Sequence, residues 1–321
     1  MKTNKKIYLF IIAILFVVSG ILSVFLIQSN NNNKELKKQV ISKGQMVYEN
    51  LKGAAAWQMS AEAQGLMMQA FETAKFRLDV AISKNGGTGN GLAIITDMDD
   101  TIVDGVHYTT DLMLGGKRNN VQFAKFLMTD ACNALPGALD FLNYAKEKGV
   151  EIFYLTNRSE RGYKSTEEGY QNKNGYDEKQ DSILDDLGIT MYDISLKQLQ
   201  YLKFPYADEG HLIINNAEKN SKKSKEAARQ SIIAKGFKIA MLLGDDINDF
   251  TDDFEKDAVV RAEQATDTPY RDKWGTEWIV LPNAVYGSWY NAIPKLDFSF
   301  VFKSNRFTDY PILQDVFFGK N

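Results

Sequence analysis

Short apolar runs alternate with helical stretches between residues 92 and 281, and this alternation limits the chain to few folds. The predicted strands are Leu92–Thr96, Val150–Thr156, His211–Asn215, Ile239–Leu243 and Trp278–Leu281. The predicted helices between them are Ala138–Lys148, Lys179–Leu187 and Ser224–Lys235. Alternation of this kind predicts an α/β fold, in which a parallel sheet is covered by helices on both faces. Ligands of such open sheets bind at the carboxyl ends of the strands.

An acid pair follows the first predicted strand directly. Asp97 and Asp99 come after Thr96 and are separated by one residue. Carboxylates placed so closely repel one another unless a cation or a shared proton intervenes. Asp97 could attack an electrophile or bind a metal, and Asp99 could exchange protons with a leaving group. An acidic turn that caps the next segment would also account for these residues.

Polar and basic residues stand where a phosphate could be bound. Thr156, Asn157 and Arg158 follow the second strand, and they could hold a phosphoryl oxygen or serve as an ordinary helix cap. A lysine cluster surrounds the start of the helix predicted from Ser224. Because the helix dipole disfavours cations there, the cluster indicates a bound anion, although a solvated basic face is the alternative. The cluster consists of Lys219, Lys222, Lys223 and Lys225.

A second acidic group follows the fourth predicted strand. Gly244 permits a tight turn, and Asp245, Asp246 and Asp249 come after it. Hard oxygen ligands of this kind suit Mg²⁺, although a plain acidic loop would look the same. An acid pair, a threonine, a lysine and a second acid pair therefore occur in this order along an alternating α/β pattern. The order is much stronger evidence for a functional site at the strand ends than any single motif.

The composition excludes several other classes of protein. Cys132 is the single cysteine, so the chain cannot form an internal disulfide framework or a multi-cysteine metal site. Two histidines do not suit a histidine-rich metal centre. The formal net charge of −3 argues against a general nucleic-acid binder. Hydrophobic residues make up 44% of the chain, which is typical of a folded protein.

An uncharged run of 21 residues, Ile7–Ile27, lies near the N-terminus. As a helix it would span a bilayer core of roughly 30 Å, so we expect an uncleaved membrane anchor. Lysines precede the run, which favours a cytoplasmic start and an exported remainder, but lysines also follow it. A cleaved signal peptide and a buried core helix are the alternatives. After residue 38 the chain carries 32 basic and 40 acidic residues, so the exported part should not adhere to an anionic membrane.

With these motifs identified, the sequence resembles the haloacid dehalogenase (HAD) superfamily, and more closely the class C acid phosphatases of bacterial surfaces. The superfamily motif Asp-x-Asp-x-Thr is matched by Asp97, Asp99 and Thr101. Thr156 matches the second motif and Lys225 the third, with Lys222 as the alternative lysine. The acidic motif is matched from Gly244 to Phe250, and the resemblance spans roughly residues 53–295. Asp246 replaces the usual Asn, Gly105 stands where Asn is common, and the lipoprotein cysteine is missing.

The resemblance implies a Mg²⁺-dependent phosphomonoesterase that works through an aspartyl-phosphate. Asp97 would be the nucleophile, Asp99 the general acid and base, and Thr156 and Lys225 the groups that bind the phosphoryl oxygens. Mg²⁺ would be held by the Asp97 carboxylate, the Asp99 backbone carbonyl and the Asp245 carboxylate, with Asp249 in support. Nucleoside monophosphates are the expected substrates. The residues expected to bind them are Asn157, Arg158, Tyr286 and Phe126.

The apolar run and the resemblance together imply a division of the chain, and two other functions stay open. We expect an anchor and polar tether over residues 1–34, a helical cap segment over 35–90, a HAD-like core over 91–300 with a short insert at 104–136, and a tail over 301–321. The enzyme would lie at the cell surface, or be secreted if the N-terminal segment is cleaved. One alternative is a phosphatase of other small monoesters, such as sugar phosphates or pyridoxal phosphate. The other is a non-catalytic surface adhesin on the same fold.

Overall fold

A computed structural model describes residues 52–113, 120–158, 187–214, 225–254 and 257–289, together with residues 28, 29, 31 and 34. The described residues from Ala55 onward belong to one compact unit. None of the helices in this described part is long and apolar enough to cross a membrane. The apolar run Ile7–Ile27 lies outside the described residues, so the predicted anchor stays a prediction.

The described strands form a five-stranded parallel sheet with the order β3-β2-β1-β4-β5. The strands are β1 Leu92–Thr96, β2 Glu151–Thr156, β3 Leu212–Ile214, β4 Lys238–Gly244 and β5 Trp278–Val280. Each lies where an apolar run predicted it, and the prediction of a parallel α/β sheet is confirmed. In the register, Thr96 lies opposite Leu243, and Thr156 lies opposite Ile214. The segments that follow the strands therefore meet at one edge of the sheet.

Side chains of the central strand alternate between two hydrophobic clusters, one on each face of the sheet. Leu92 and Ile94 belong to the larger cluster, whereas Ala93 and Ile95 belong to the smaller one. A β-strand places successive side chains on opposite faces, so a run that is apolar throughout indicates that both faces are covered. All five residues of β1 are buried. The chemistry of the site can therefore begin only where the strand ends.

The described α-helices include four that were not predicted. The helices are α1 Ala61–Lys84, α2 Val106–Met113, α3 Asn120–Leu127, α4 Ala138–Glu147, α5 Met191–Tyr201, α6 Glu226–Ala234 and α7 Ala258–Thr266. Of these, α1, α4 and α6 coincide with predicted helical stretches, and α2, α3, α5 and α7 were missed. Most of the predicted helix Lys179–Leu187 lies outside the described residues.

The segment predicted as a cap packs on the sheet itself. Met67, Phe71 and Leu78 of α1 are buried in the larger hydrophobic cluster, where Phe71 lies against Phe141 of α4 with ring centroids 6.0 Å apart. Residues 55–90 thus share a core with β1, and their role as a cap stays a prediction.

The ends of the predicted insert, residues 104–136, lie side by side. The Asp104 amide donates to the Asn133 carbonyl at 2.8 Å, and the Leu135 amide donates to the Ile102 carbonyl at 2.9 Å. The insert therefore leaves the core and rejoins it at one place. Between its two ends it contains α2 and α3.

Candidate active site

Asp97 and Asp245 emerge from the neighbouring strands β1 and β4 at the carboxyl edge of the sheet. The Asp97 amide donates to the Leu243 carbonyl at 3.0 Å, which continues the strand pairing by one residue. The Thr101 hydroxyl donates to Asp245 Oδ1 at 3.1 Å and lies 3.5 Å from Asp97 Oδ2. Thr101 thereby links the first acidic motif to the second.

Lys225 supplies a buried positive charge between two carboxylates. Its Nζ donates to Asp97 Oδ1 at 2.5 Å and to Asp249 Oδ1 at 2.8 Å, and only 1% of the residue is exposed. Burial alone would lower the pKa of Lys225, but Asp249 and Asp97 raise it overall, so the ammonium remains charged. The alternative lysine, Lys222, lies outside the described residues.

The acidic loop after β4 is shaped by its own carboxylates. Asp246 and Asp249 form a capping box around a short 3-10 turn, Ile247–Asp249, in which the Asp246 amide donates to Asp249 Oδ2 at 3.0 Å. Gly244 is required because a Cβ there would lie 2.2 Å from the Cβ of Asp249. The Arg229 guanidinium donates to the Asp249 carbonyl at 3.0 Å and so ties α6 to this loop.

Three carboxylates converge at this edge of the sheet. One oxygen each from Asp97, Asp245 and Asp249 lies within 4.8 Å of the others. Burial raises the pKa of Asp97 to about 7 despite the opposing effect of Lys225, and Asp249 and Asp99 raise it further. Burial, Asp249 and Asp97 also raise the pKa of Asp245 well above its ordinary value. Negative charge here exceeds what Lys225 balances, and three convergent carboxylates fit a hard divalent cation.

Asn283 is a functional candidate that the sequence analysis did not single out. Its Nδ2 donates to Asp245 Oδ2 at 2.7 Å, while its Oδ1 accepts from the Val285 amide at 2.9 Å. The side chain therefore orients Asp245 and shapes the loop after β5 at the same time. Asn283 stands three residues after the last residue of β5, so its position beyond a strand end could have indicated it.

Asp99, two residues after Asp97, pairs with Arg158. Arg158 Nε donates to Asp99 Oδ2 at 2.9 Å, and Arg158 Nη2 donates to Asp99 Oδ1 at 2.6 Å. Arg158 Nη1 donates to the Ser195 hydroxyl on α5 at 3.0 Å. The sequence analysis assigned Arg158 to substrate binding and missed Ser195, because no local pattern shows which residue a distant helix brings to the site.

The other predicted site residues occupy different surroundings. Thr156 is buried, and its hydroxyl accepts from the Arg158 amide at 3.2 Å, whereas Asn157 is exposed. The Tyr286 hydroxyl lies against the Asp100 carboxylate, and burial together with Asp100 raises the pKa of Tyr286 well above its ordinary value. Phe126 stacks on Tyr108 of α2, with ring centroids 5.6 Å apart. The predicted roles of Tyr286, Phe126 and Asn157 in substrate binding stay predictions.

Comparison with known families gives a match over most of the chain. Residues 26–289 match the sequence model of the HAD superfamily, subfamily IIIB (acid phosphatase).

The solved structures that are similar to this chain include two of a class C acid phosphatase from Bacillus anthracis. The structure of the class C acid phosphatase from Bacillus anthracis superposes with a TM-score of 0.58 at 24% identity, over 83% of this chain and 98% of that one. The crystal structure of the class C acid phosphatase from the same organism with tungstate bound gives a TM-score of 0.57 at 26% identity, over 82% of this chain and 96% of that one.

Proposed function

Because the chain belongs to subfamily IIIB of the HAD superfamily and is therefore an acid phosphatase that hydrolyses phosphomonoesters, we propose that it uses Asp97 as its nucleophile. The observation that carries this proposal is the contact of Asp97 with Lys225 beside Asp245 and Asp249. An anionic carboxylate can approach an anionic phosphate only where positive charge screens their repulsion. Lys225 lies in hydrogen-bond contact with the attacking group and meets that need.

The proposed reaction has two displacements at phosphorus. An Asp97 oxygen bonds to phosphorus as the ester P–O bond breaks, and Asp99 gives its proton to the departing alkoxide oxygen. Water then attacks the aspartyl-phosphate and passes a proton to Asp99, and the Asp97–phosphorus bond breaks to release phosphate. Each cycle leaves Asp97 as a carboxylate and Asp99 protonated. Lys225 and Thr156 bind the phosphoryl oxygens in this scheme.

The metal of this scheme is Mg²⁺, which Asp97, Asp245 and Asp249 would hold together with the Asp99 backbone carbonyl. When bound, a divalent cation neutralises charge on the phosphate and polarises its oxygens. Thr101 and Asn283 hold Asp245 through its two oxygens and thereby fix the direction in which it faces. Removal of divalent cations with EDTA should abolish activity, and added Mg²⁺ should restore it. Full activity after exhaustive chelation would contradict the metal assignment.

Nucleoside monophosphates are the proposed substrates, and the cell surface is the proposed location. The proposal for the substrate is supported by aromatic side chains of the insert, Tyr108, Phe123 and Phe126, which pack together beside Arg158. The tungstate-bound relative supports an oxyanion site, because tungstate is tetrahedral like phosphate. Sugar phosphates and pyridoxal phosphate are the alternative substrates. The 21-residue run Ile7–Ile27 supports a membrane anchor, and the lysines that precede it favour an enzyme on the outside.

The decisive experiment is phosphate release from p-nitrophenyl phosphate by the detergent-solubilised full chain in the presence of Mg²⁺. Release by the wild type and none by Asp97→Asn would support the proposed nucleophile. No release by the wild type under any metal or pH condition would contradict the proposed mechanism. Comparison of kcat/KM for nucleoside monophosphates and sugar phosphates would then decide between the two substrate classes.

A further inference from the structure

Both carboxylate oxygens of Asp99 accept hydrogen bonds from the buried side chain of Arg158. Arg158 donates to Asp99 from Nε at 2.9 Å and from Nη2 at 2.6 Å, which is the two-pronged geometry of the strongest arginine–carboxylate pairs. The Arg158 side chain is 3% exposed, whereas the Asp99 side chain is 25% exposed. The guanidinium thus belongs to the protein interior, whereas the carboxylate that it holds is partly open to solvent.

Two contacts fix the guanidinium independently of Asp99, and a third holds the backbone of Arg158. Arg158 Nη1 donates to the Ser195 hydroxyl, which itself donates to the Met191 carbonyl at 2.7 Å. The Phe123 ring lies over the guanidinium, 5.5 Å from its central carbon. At the other end of the residue, the Arg158 amide donates to the Thr156 hydroxyl at 3.2 Å. The arginine is therefore held by β2, α5 and the insert in addition to its contact with Asp99.

We infer that Arg158 is a positioning residue for proton transfer and that it acts through Asp99. This inference rests on the proposed function, in which Asp99 gives a proton to the leaving oxygen as the ester bond breaks. A planar guanidinium sets both the plane and the direction of the carboxylate that it pairs with. A proton donor is effective only within hydrogen-bond reach of the leaving oxygen, and a 1 Å misplacement costs about 10²-fold in rate. Ser195 and Phe123 support Asp99 through Arg158.

A role in substrate binding would leave a different kinetic signature. An arginine that held the phosphate would lower kcat/KM equally for all phosphomonoesters, because they share that group. An arginine that aligns a proton donor matters most when the leaving group is a poor one that needs the proton. The kcat/KM ratio covers the steps up to departure of the alcohol, so the later hydrolysis of the aspartyl-phosphate does not obscure the comparison.

The test compares Arg158→Gln with the wild-type full chain on two aryl substrates, p-nitrophenyl phosphate and phenyl phosphate. Neither carries a nucleoside, so a contact of Arg158 with a base or sugar does not affect the comparison, and phenolate is the poorer leaving group of the two. We expect kcat/KM for phenyl phosphate to fall by about 10²-fold, with a much smaller loss for p-nitrophenyl phosphate. The ratio of the two kcat/KM values is independent of the fraction of correctly folded enzyme, so partial misfolding does not affect it. Arg158→Lys and Ser195→Ala should shift the ratio in the same direction by less.

Arg77→Gln is the matched control, because Arg77 donates to the Gly275 carbonyl at 2.8 Å and has no part in the proposed site. It should leave the ratio unchanged. Equal losses on both substrates, or a raised KM with unchanged kcat, would overturn the inference and assign Arg158 to phosphate binding. A wild-type chain that hydrolyses neither substrate would instead refute the proposed function itself.

Discussion

Lys225 carries more of the electrostatic balance of the site than its single charge suggests, because it is buried against Asp97 and Asp249. Replacement of one partner in a buried ion pair leaves the other charges uncompensated, at a cost of about 3–5 kcal/mol. We therefore expect Lys225→Met to lower the free energy of unfolding by an amount in this range. Denaturant unfolding in the presence of EDTA measures it without screening by a divalent cation.

The control for this prediction is Lys84→Met. Lys84 is an exposed residue in the last turn of α1, and a surface change of this kind stays within about 0.5 kcal/mol. Equal stability of the Lys225 and Lys84 variants would show that the buried pairs contribute nothing to folding.

Asp97→Asn should abolish activity and leave stability nearly unchanged, in contrast to the loss of stability expected for Lys225→Met. The amide keeps the shape of the side chain and removes one charge from a crowded group of carboxylates, so the protein should fold normally. Turnover should be lost, because an amide cannot form the aspartyl-phosphate. Activity and the midpoint of thermal unfolding are the two measurements. Asp79→Asn, which alters an exposed carboxylate on α1, should keep full activity. A fully active Asp97→Asn variant would refute covalent catalysis by this residue.

Among the elements, the turn after β4 depends on the absence of a side chain at Gly244. A Cβ at this position would lie 2.2 Å from Cβ and 2.3 Å from Oδ2 of Asp249, so Gly244→Ala must displace the acidic loop. We expect a loss of activity together with a lower midpoint of thermal unfolding. Gly65→Ala is the matched control, since a Cβ there meets no atom within 4 Å and Gly65 lies inside α1.

The control variant should itself change stability, in the direction opposite to Gly244→Ala. Alanine is favoured over glycine inside a helix by about 0.5–1 kcal/mol, so Gly65→Ala should raise stability and leave activity intact. Unchanged activity in both variants would mean that the loop accommodates the methyl group, and the proposed requirement for Gly244 would be wrong.

The elements differ in how well the sequence predicts them, for physical reasons. The strands were predictable because they are apolar on both faces, which few other structures require. Helices α2, α3 and α7 have eight or nine residues, so each offers little more than two turns in which a helical period could show. Helix α5 begins with a capping box of Thr190 and Asp193, a signal that could have revealed it.

The position of the site can be predicted from the sheet topology, but the contacts between individual side chains in it cannot. A parallel sheet brings the strand ends to one edge, so the meeting of Asp97 with Asp245 could be expected from the order of the motifs. The partners of Asp99 could not, because Arg158 joins residues 59 and 37 positions away. Pairing over such distances depends on how α5 packs, and no local pattern of residues encodes it. The same is true of Gln58, whose side chain donates to the Pro282 carbonyl.

For the protein as a whole, the net negative charge after residue 38 affects how the enzyme can be held at a membrane. A domain with 32 basic and 40 acidic residues gains nothing from an anionic membrane surface, so the predicted anchor is the feature that would keep it there. In whole cells, the full-length enzyme should therefore hydrolyse an added nucleoside monophosphate, which is too polar to cross a bilayer. External protease should release active enzyme into the medium by cutting the polar tether after residue 27.

Two comparisons make this prediction decisive. Cells that express Asp97→Asn report any background hydrolysis by other enzymes, and a chain without residues 1–34 reports the behaviour of the enzyme without its apolar run. If that shortened chain keeps its activity in the soluble fraction, the run serves attachment and not catalysis. Lysines lie on both sides of the run, so charge alone sets its orientation only weakly. Activity that appears only after lysis, with the enzyme protected from protease in intact cells, would place the active site on the cytoplasmic side.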